Sequence, residues 1–482
     1  MEILVEQNPW WENPEAVNMD PFIRDYDSSL VKWPPEILGG IDLERNIIYS
    51  LRGPRQIGKT TMLKLMIRYL IRRRVNPRNI LYISCESLSS WSELRDALRQ
   101  FLSMSGEHRV YIFLDEVTAL EDWSRPIKYL YDIGALRESF VILSGSHSLD
   151  LLSGVERLVG RRGEYEQIPD FVLLPMTFAE YIHAVDHKLY ERLTSGNMLD
   201  NLIIHHKAIK HHYDNYIKAG GFPQAQDSLL KARIVKFHIL REFINYVRQD
   251  IARSALSVEL SIKILRKMLN VFPGTVSWRA IASEIGYSHV TVSSHCEKIR
   301  ALFLVEYVHP PKFEMGMLAP DLKKDKKIVF MDPFIVYTLH YWLYGTASIN
   351  RIWNRWIYSS REYGKILEVL LLRHLIHWVY GNTMREEVLE HIFYFRKNDR
   401  EIDFIAIKNN EALIIESKTR KKITRSFATA EAMVKPRRAF KLLAYEGELR
   451  VKNQYIAIPM PYLLLILSTG RIEELQRIKE IY

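Results

Sequence analysis

The chain has 482 residues, more than one hydrophobic core fills, which predicts three or four domains. Its 67 Lys and Arg against 57 Asp and Glu leave a net charge of +10, so polyanions, nucleic acid among them, are candidate partners. Two cysteines, Cys85 and Cys296, exclude a disulfide framework and a zinc cluster and point to a reducing, cytoplasmic setting. The opening MEILVEQNPWWENPEAV lacks the basic-then-apolar pattern of a secretory signal. No stretch reaches the roughly 18 uncharged apolar residues of a membrane helix, the longest run, residues 462–467, being strand-sized.

From residue 46 to 175, β-rich runs alternate with helical patterns: 46–51, 79–85, 109–115, 140–146 and 171–175. The alternation predicts an α/β fold with a parallel five-stranded sheet. Directly after the first run, Gly53-Pro54-Arg55-Gln56-Ile57-Gly58-Lys59-Thr60 fits G-x-x-x-x-G-K-[ST]. The glycines allow a tight turn that aims backbone N–H groups at phosphate, and a helix N-terminus adds partial positive charge. In that pattern Lys59 reaches the β- and γ-phosphates and the Thr60 hydroxyl ligates Mg²⁺. The helix that follows places Met62, Leu63, Met66, Tyr69 and Leu70 on one stripe and ends in Arg72–Arg74. The third run ends in Asp115-Glu116. Beside a P-loop, Asp115 is expected to hold the magnesium through water and Glu116 to orient the attacking water.

Residues 180–260 read as helices interrupted at Gly220-Gly221-Phe222-Pro223. Residues 280–293 have a helix, glycine turn, helix pattern, with Ala282, Gly286 and Val292 at the spacings of a helix-turn-helix. Its second helix is expected to present Ser288, His289, Thr291, Ser294, His295 and Lys298 to a groove, and strand-like 302–308 and 327–332, joined by a loop with Lys323, Lys324, Lys326 and Lys327, make a β-wing. Helices over 337–380 give way to strands at 391–397, 401–407 and 411–418. In that hairpin Asp403 precedes Glu416-x-Lys418 by 13 positions, and strand alternation is expected to bring Asp403 beside Glu416 and Lys418. Two carboxylates there would bind Mg²⁺ and activate water, with Lys418 stabilising phosphate and Glu368, on the preceding helix, as a further ligand or base. Arg420, Lys421, Lys422, Arg425, Lys435, Arg437 and Arg438 make the following stretch basic, as phosphate-backbone contact requires.

The P-loop, with Thr61 completing GPRxxGKTT, and the Asp115-Glu116 strand resemble the AAA+ ATPases, in particular an archaeal and bacterial group. The resemblance implies ATP and Mg²⁺ as cofactors and Ser144, over Ser146, as the residue that senses the γ-phosphate. Gly160-Arg161-Arg162-Gly163 resembles the family's arginine segment, implying that Arg161 or Arg162 stabilises transition-state charge in the same or a neighbouring subunit. Residues 175–181 depart at two positions from the family's P-L-S-F-x-E-[FY]. Pro223 resembles the lid proline that packs against adenine in related signal-transduction ATPases. Asp403, Glu416, Lys418 and Glu368 resemble the PD-(D/E)xK restriction-endonuclease-like fold. The implied organisation is an N-terminal extension (1–25), an AAA+ P-loop core (26–180), a helical lid (181–260), a winged helix (261–335) and a restriction-endonuclease-like domain (336–482). The implied function is a Mg²⁺-dependent ATPase acting on DNA, as a DNA-processing nuclease-ATPase where Asp403, Glu416 and Lys418 cut, with a signal-transduction-type switch that acts on a protein partner and has a non-catalytic C-terminal domain as the alternative, no membrane partner and an open oligomeric state.

Overall fold

The computed structural model describes residues 2–33, 35–105, 109–165, 169–254, 256–314, 317–346, 348–383, 388–397, 400–418, 426–434, 438–452 and 455–481. The chain divides into two compact units, Met1–Leu174 and Pro175–Tyr482. In the first, the predicted alternation becomes a parallel sheet of β1 (Ile48–Arg52), β2 (Ile80–Ser84), β3 (Val110–Asp115), β4 (Ser139–Gly145) and β5 (Asp170–Val172), ordered β2-β3-β4-β1-β5. β1, β3 and β4 are buried along their whole length, which is why they read as near-continuous apolar runs. β5 stops at Val172, short of the run that continues to Pro175. In the helix Lys59–Arg72 the buried stripe is Met62, Leu63, Met66, Ile67 and Leu70, whereas Tyr69, expected on it, is exposed.

β2 is an edge strand, and its unpaired backbone groups are met by side chains of the N-terminal segment. Ser84 N donates to Gln7 Oε1 at 2.7 Å, Tyr82 N to Asn8 Oδ1 at 2.6 Å, and Asn8 Nδ2 returns a bond to the Tyr82 carbonyl at 2.9 Å. Trp10 and Trp11 both donate their indole N–H to the Ile80 carbonyl, at 3.1 and 2.8 Å. Four side chains thus do what a neighbouring strand would do for this edge. The same segment reaches the P-loop helix, where Asp20 pairs with Lys64 at 3.0 Å and Asp27 with Arg68 at 2.7 Å. The Lys64 ammonium also lies 3.4 Å from the centre of the Tyr82 ring. The extension is therefore integral to the first unit.

The second unit opens with helices from Phe178 to Val271. Next come β6 (Thr275–Val276), the helices Trp278–Ile285 and His289–Ala301, β7 (Val305–Val308), a hairpin of β8 (Pro311–Glu314) and β9 (Met317–Pro320), and β10 (Lys326–Phe330). β6, β10 and β7 form an antiparallel sheet in that order, and β8 with β9 a separate two-stranded one. Gly286, at φ +75°, terminates the first of the two helices with the left-handed turn that the sequence placed there. Helices Pro333–Tyr344, Ile349–Trp356 and Ser360–Tyr380 precede a six-stranded sheet. Its strands β11 (Ile392–Lys397), β12 (Arg400–Lys408), β13 (Glu411–Lys418), β14 (Arg438–Tyr445), β15 (Arg450–Lys452) and β16 (Tyr455–Pro459) run in the order β11-β12-β13-β14-β16-β15. The apolar run 462–467 is not a strand but the middle of the buried helix Met460–Thr469. Among the described residues no helix is long and apolar enough to cross a membrane.

The segments expected as lid, winged helix and C-terminal domain fall in one compact unit, Pro175–Tyr482. Phe178 N donates to His374 Nε2 at 2.9 Å, and Arg373 Nε donates to the Pro175 carbonyl at 2.7 Å. The compact division of the chain accordingly falls at Leu174–Pro175 rather than after residue 180.

The edge arrangement makes a direct prediction. Asn8→Ala leaves the Tyr82 N–H and C=O without these partners in a buried setting, a cost of about 1–3 kcal/mol. Chemical denaturation should show the first unit losing stability by that amount, and an unchanged midpoint would show that the edge does not need Asn8.

Candidate nucleotide site and the acidic cluster of the second unit

The sheet order brings three sequence-distant segments to the carboxyl ends of the strands. Gly53 begins the loop after β1 at φ +154°, and a Cβ there would lie 2.3 Å from the Leu173 carbonyl oxygen, so only glycine fits. Gly58, at φ +105°, turns the chain into the helix Lys59–Arg72. Lys59 is buried and its ammonium donates to the Gly53 and Pro54 carbonyls at 2.9 and 3.1 Å. Arg55, Gln56 and Ile57 form the rest of the loop, with Gln56 at φ +60°, while Thr60 and Thr61 lie on the first helical turn.

Asp115 ends β3 and gathers three hydroxyls. Thr60 Oγ1 donates to Asp115 Oδ2 at 2.6 Å, the Tyr82 hydroxyl donates to the same oxygen at 2.9 Å, and Ser144 Oγ donates to Oδ1. Burial and then the Asp115 charge push the Tyr82 hydroxyl far up, so it remains a donor. Ser144 also accepts from Glu116 N at 3.1 Å. Glu116 itself has a left-handed backbone, φ +50°, an uncommon conformation for a residue with a side chain. That turn returns its carboxylate to the site: Oε2 accepts from Ser146 N and Ser146 Oγ, each at 3.0 Å, and Oε1 lies 3.6 Å from both Lys59 Nζ and Arg55 Nη1. Burial alone would raise the Glu116 carboxyl, but the Lys59 and Arg55 charges and the Ser146 bonds outweigh it and hold it below the usual carboxylate range.

The structure thus assembles Lys59, Thr60, Asp115, Glu116 and Ser144 as the sequence order implied, and adds two residues that motif reasoning ranked second or missed. Ser146 holds the Glu116 carboxylate, and Tyr82 lies in β2 where only an apolar strand was legible. Thr60 and Asp115 offer the hard oxygen donors that suit Mg²⁺.

Arg161 and Arg162 depart from expectation. Ile48 N, at the start of β1, donates to the Arg162 carbonyl at 3.1 Å, which puts both arginines at the amino ends of the strands, opposite the P-loop. The Arg162 guanidinium is buried and tied to Asp170 at 2.6 Å and to the Ile48 and Pro169 carbonyls at 2.9 Å each. Arg161 pairs with Asp132 at 2.5 Å. Both guanidinium groups are thus engaged by partners away from the P-loop of their own chain.

Pro223 lies in the second unit, at the first turn of the helix Pro223–Ala232. The glycines before it each answer a close approach, Gly221 to the Pro175–Met176 backbone, where a Cβ would lie 2.4 Å from the Met176 carbonyl oxygen. Gly221 N donates to Asp332 Oδ2 at 2.8 Å, and a Cβ at Gly220, φ +64°, would meet Asp332 Oδ1 at 1.8 Å. Burial pushes the Asp332 carboxyl up to about 7.

The helix-turn-helix face is narrower than expected. His295 is buried with Nδ1 2.9 Å from the Thr291 carbonyl, and Lys298 donates to the Ser254 carbonyl at 2.7 Å. Ser288 caps its helix by accepting from Thr291 N at 3.1 Å, leaving His289 and Ser294 exposed beside Val290. Lys323 and Lys324 are exposed as expected, whereas Lys326 lies over the Trp278 ring, 4.2 Å from its centre, and Lys327 is buried.

The nuclease-like quartet does not assemble. β12 carries an extra residue opposite β11, where Phe393 pairs with Ile405 but Phe395 with Ile402. Such a bulge re-aims the side chains within it. Asp403, inside the bulge, turns toward Glu368 of the helix Ser360–Tyr380, and Lys327 Nζ stands between them, 2.5 Å from Glu368 Oε2 and 3.3 Å from Asp403 Oδ1. Asp403 Oδ2 accepts from Ser417 N and Ser417 Oγ at 2.7 and 2.9 Å. Ile414 packs in the cluster of Phe427 and Ala430. By alternation Glu416 and Lys418, paired to each other at 2.9 Å, share that opposite face of the sheet. Asp403 and Glu416 therefore do not form the expected metal pair, and among the described residues no group of three or more His, Cys, Asp and Glu is placed to hold a metal ion. Arg420, Lys421, Lys422, Arg425, Lys435 and Arg437 lie outside the described residues.

Residues 45–182 match the family model described as an AAA domain, residues 210–344 a domain of unknown function (DUF8612), and residues 363–463 a second (DUF4143). An uncharacterized protein of Methanocaldococcus jannaschii is 23% identical over 388 residues, covering 78% of this chain and 75% of its own. An uncharacterized protein of Haemophilus influenzae is 28% identical over 221 residues, 44% of this chain and 48% of its own. The solved Walker-type ATPase of Pyrococcus abyssi aligns with a TM-score of 0.37 at 12% identity, covering 61% of this chain and 91% of that one. The part of the chain that carries the P-loop, Asp115 and Glu116 is thus similar to the AAA domain of ATPases.

Proposed function

We propose that this chain is a Mg²⁺-dependent ATP hydrolase whose nucleotide state is read by the helical and winged-helix-like parts of the second unit, acting on DNA. The observation that carries the hydrolase reading is the Glu116 carboxylate, kept ionised by Lys59 and Arg55 and aimed by Ser146 at the mouth of the P-loop. In this reading the backbone of Gly53–Thr61 and Lys59 bind the phosphates. Thr60 and Asp115 would hold Mg²⁺, which neutralises phosphate charge when bound. Glu116 accepts a hydrogen bond from the attacking water and draws off its proton, Ser144 ties the Asp115 carboxylate to the Glu116 backbone, and Ser146 fixes the direction of the base. Pro223 as an adenine contact and Arg161 as a residue acting on a neighbouring subunit belong to the same proposal.

The DNA reading is supported by the net charge of +10 and by the exposure of His289 and Ser294 on the helix His289–Ala301 and of Lys323 and Lys324 before β10. We read the segment around 261–335 as a winged helix, and the C-terminal α/β domain as restriction-endonuclease-like but holding rather than cutting its partner. A protein partner is the second reading. It is favoured by the apolar tip of the β8–β9 hairpin and the loop after it, where Phe313, Met317 and Leu322 are 53%, 69% and 55% exposed.

Arg55→Gln removes one of the two cations that keep Glu116 ionised. Protonation then sets in at higher pH, so the acidic limb of the kcat/KM profile for ATP hydrolysis should move upward relative to wild type. A limb that stays in place contradicts Glu116 as the base.

For the partner, duplex DNA held through three or four phosphate contacts should be bound about 40–150-fold more weakly at 200 mM than at 50 mM salt. Lys323→Ala should lower the slope of log affinity against log salt by about one. Absence of DNA retention at low salt overturns this reading in favour of the protein partner.

A further inference from the structure

Alternation along β10 sends neighbouring lysines opposite ways: Lys326 stays at the surface over Trp278, and Lys327 turns inward, its side chain only 1% exposed. Three oxygens stand around this ammonium: Glu368 Oε2, its ion-pair partner at 2.5 Å, and two that accept hydrogen bonds from it, Asp403 Oδ1 at 3.3 Å and the Asp403 carbonyl at 3.4 Å. The Phe404 ring lies 5.0 Å from Nζ. These oxygens come from the helix Ser360–Tyr380 and from the bulge in β12, so the cation that meets them is supplied by a different sheet of the same unit.

The electrostatics agree with a permanent cation. Burial would lower the Lys327 ammonium, yet the Glu368 and Asp403 charges outweigh it and hold it above the ordinary lysine range. Burial and then the Asp403 charge push the Glu368 carboxyl up to about 8 even with Lys327 beside it. A divalent ion would need oxygen ligands at about 2.0–2.6 Å in the space Nζ fills, and Asp403 Oδ2 is already taken by Ser417.

We propose that Lys327 is the built-in cation of the C-terminal α/β domain: its ammonium stands where a divalent metal between Glu368 and Asp403 would stand, so this acidic site takes no Mg²⁺ and the small sheet is pinned to the large one by the same contact. The restriction-endonuclease-like reading supplies only the metal that Lys327 replaces; the ion cluster stands without it.

The test is Mn²⁺ titration of the full chain without nucleotide, followed by the loss of the free-ion electron paramagnetic resonance signal. Wild type and Asp403→Asn should bind the same number of Mn²⁺ ions. Lys327→Met, which keeps the side-chain length and removes the charge, should bind one more, and Lys327→Met/Asp403→Asn should lose it. A wild-type chain that loses a bound Mn²⁺ on Asp403→Asn overturns the proposal. So does a folded Lys327→Met chain that gains none. Should Lys327→Met fail to fold, the comparison of wild type with Asp403→Asn decides alone. Failure of the titration leaves ATP hydrolysis at the P-loop untouched, so the two accounts are separable.

Discussion

The position of β4 between β1 and β3 is the constraint on which the nucleotide site depends. A parallel sheet delivers all its carboxyl ends to one edge. With this order the P-loop, the Asp115-Glu116 turn and the Ser144-Gly145-Ser146 strand end converge there. The contacts then form a closed set: Thr60 and Ser144 on Asp115, Ser146 on Glu116, and Lys59 and Arg55 beside the Glu116 carboxylate. Such groups need no reorganisation to stabilise charge, which is where electrostatic catalysis gains most. The left-handed backbone of Glu116 is the local strain that this convergence requires.

The edge of the same sheet shows how the N-terminal segment joins the site. Asn8, Gln7, Trp10 and Trp11 complete β2, β2 carries Tyr82, and Tyr82 donates to Asp115. Asp20 and Asp27 meanwhile hold Lys64 and Arg68 on the P-loop helix. A segment that motif reading passes over is therefore linked through Tyr82 to the Asp115 carboxylate.

What was legible in the sequence followed from backbone demands and period. The P-loop needs glycine where Leu173 approaches and where the helix begins, and the buried parallel strands must be apolar throughout. The β11–β13 strands and the Gly286 turn were legible for the same reasons. What was not legible depends on contacts between distant segments or on a single inserted residue. The bulge at Ile402–Ile405 carries no composition signal, yet it turns Asp403 away from Glu416 and dissolves the metal pattern. Lys327 resembles its exposed neighbours Lys323 and Lys324 in sequence and differs only in which face of β10 it occupies. Gly220 and Gly221 look like a helix break, and their causes are Asp332 for the first and the Pro175–Met176 backbone for the second, both distant in sequence.

The central claim is that Glu116 supplies the base for hydrolysis while Lys59 holds the phosphates. Its most direct test is γ-phosphate release from ATP with Mg²⁺ in a single turnover, together with equilibrium ATP binding, for wild type, Lys59→Ala and Glu116→Gln. The account predicts that Lys59→Ala binds no ATP, and that Glu116→Gln binds it as wild type does but releases phosphate about 10²–10⁴-fold more slowly. Phosphate release from Glu116→Gln at the wild-type rate would contradict it.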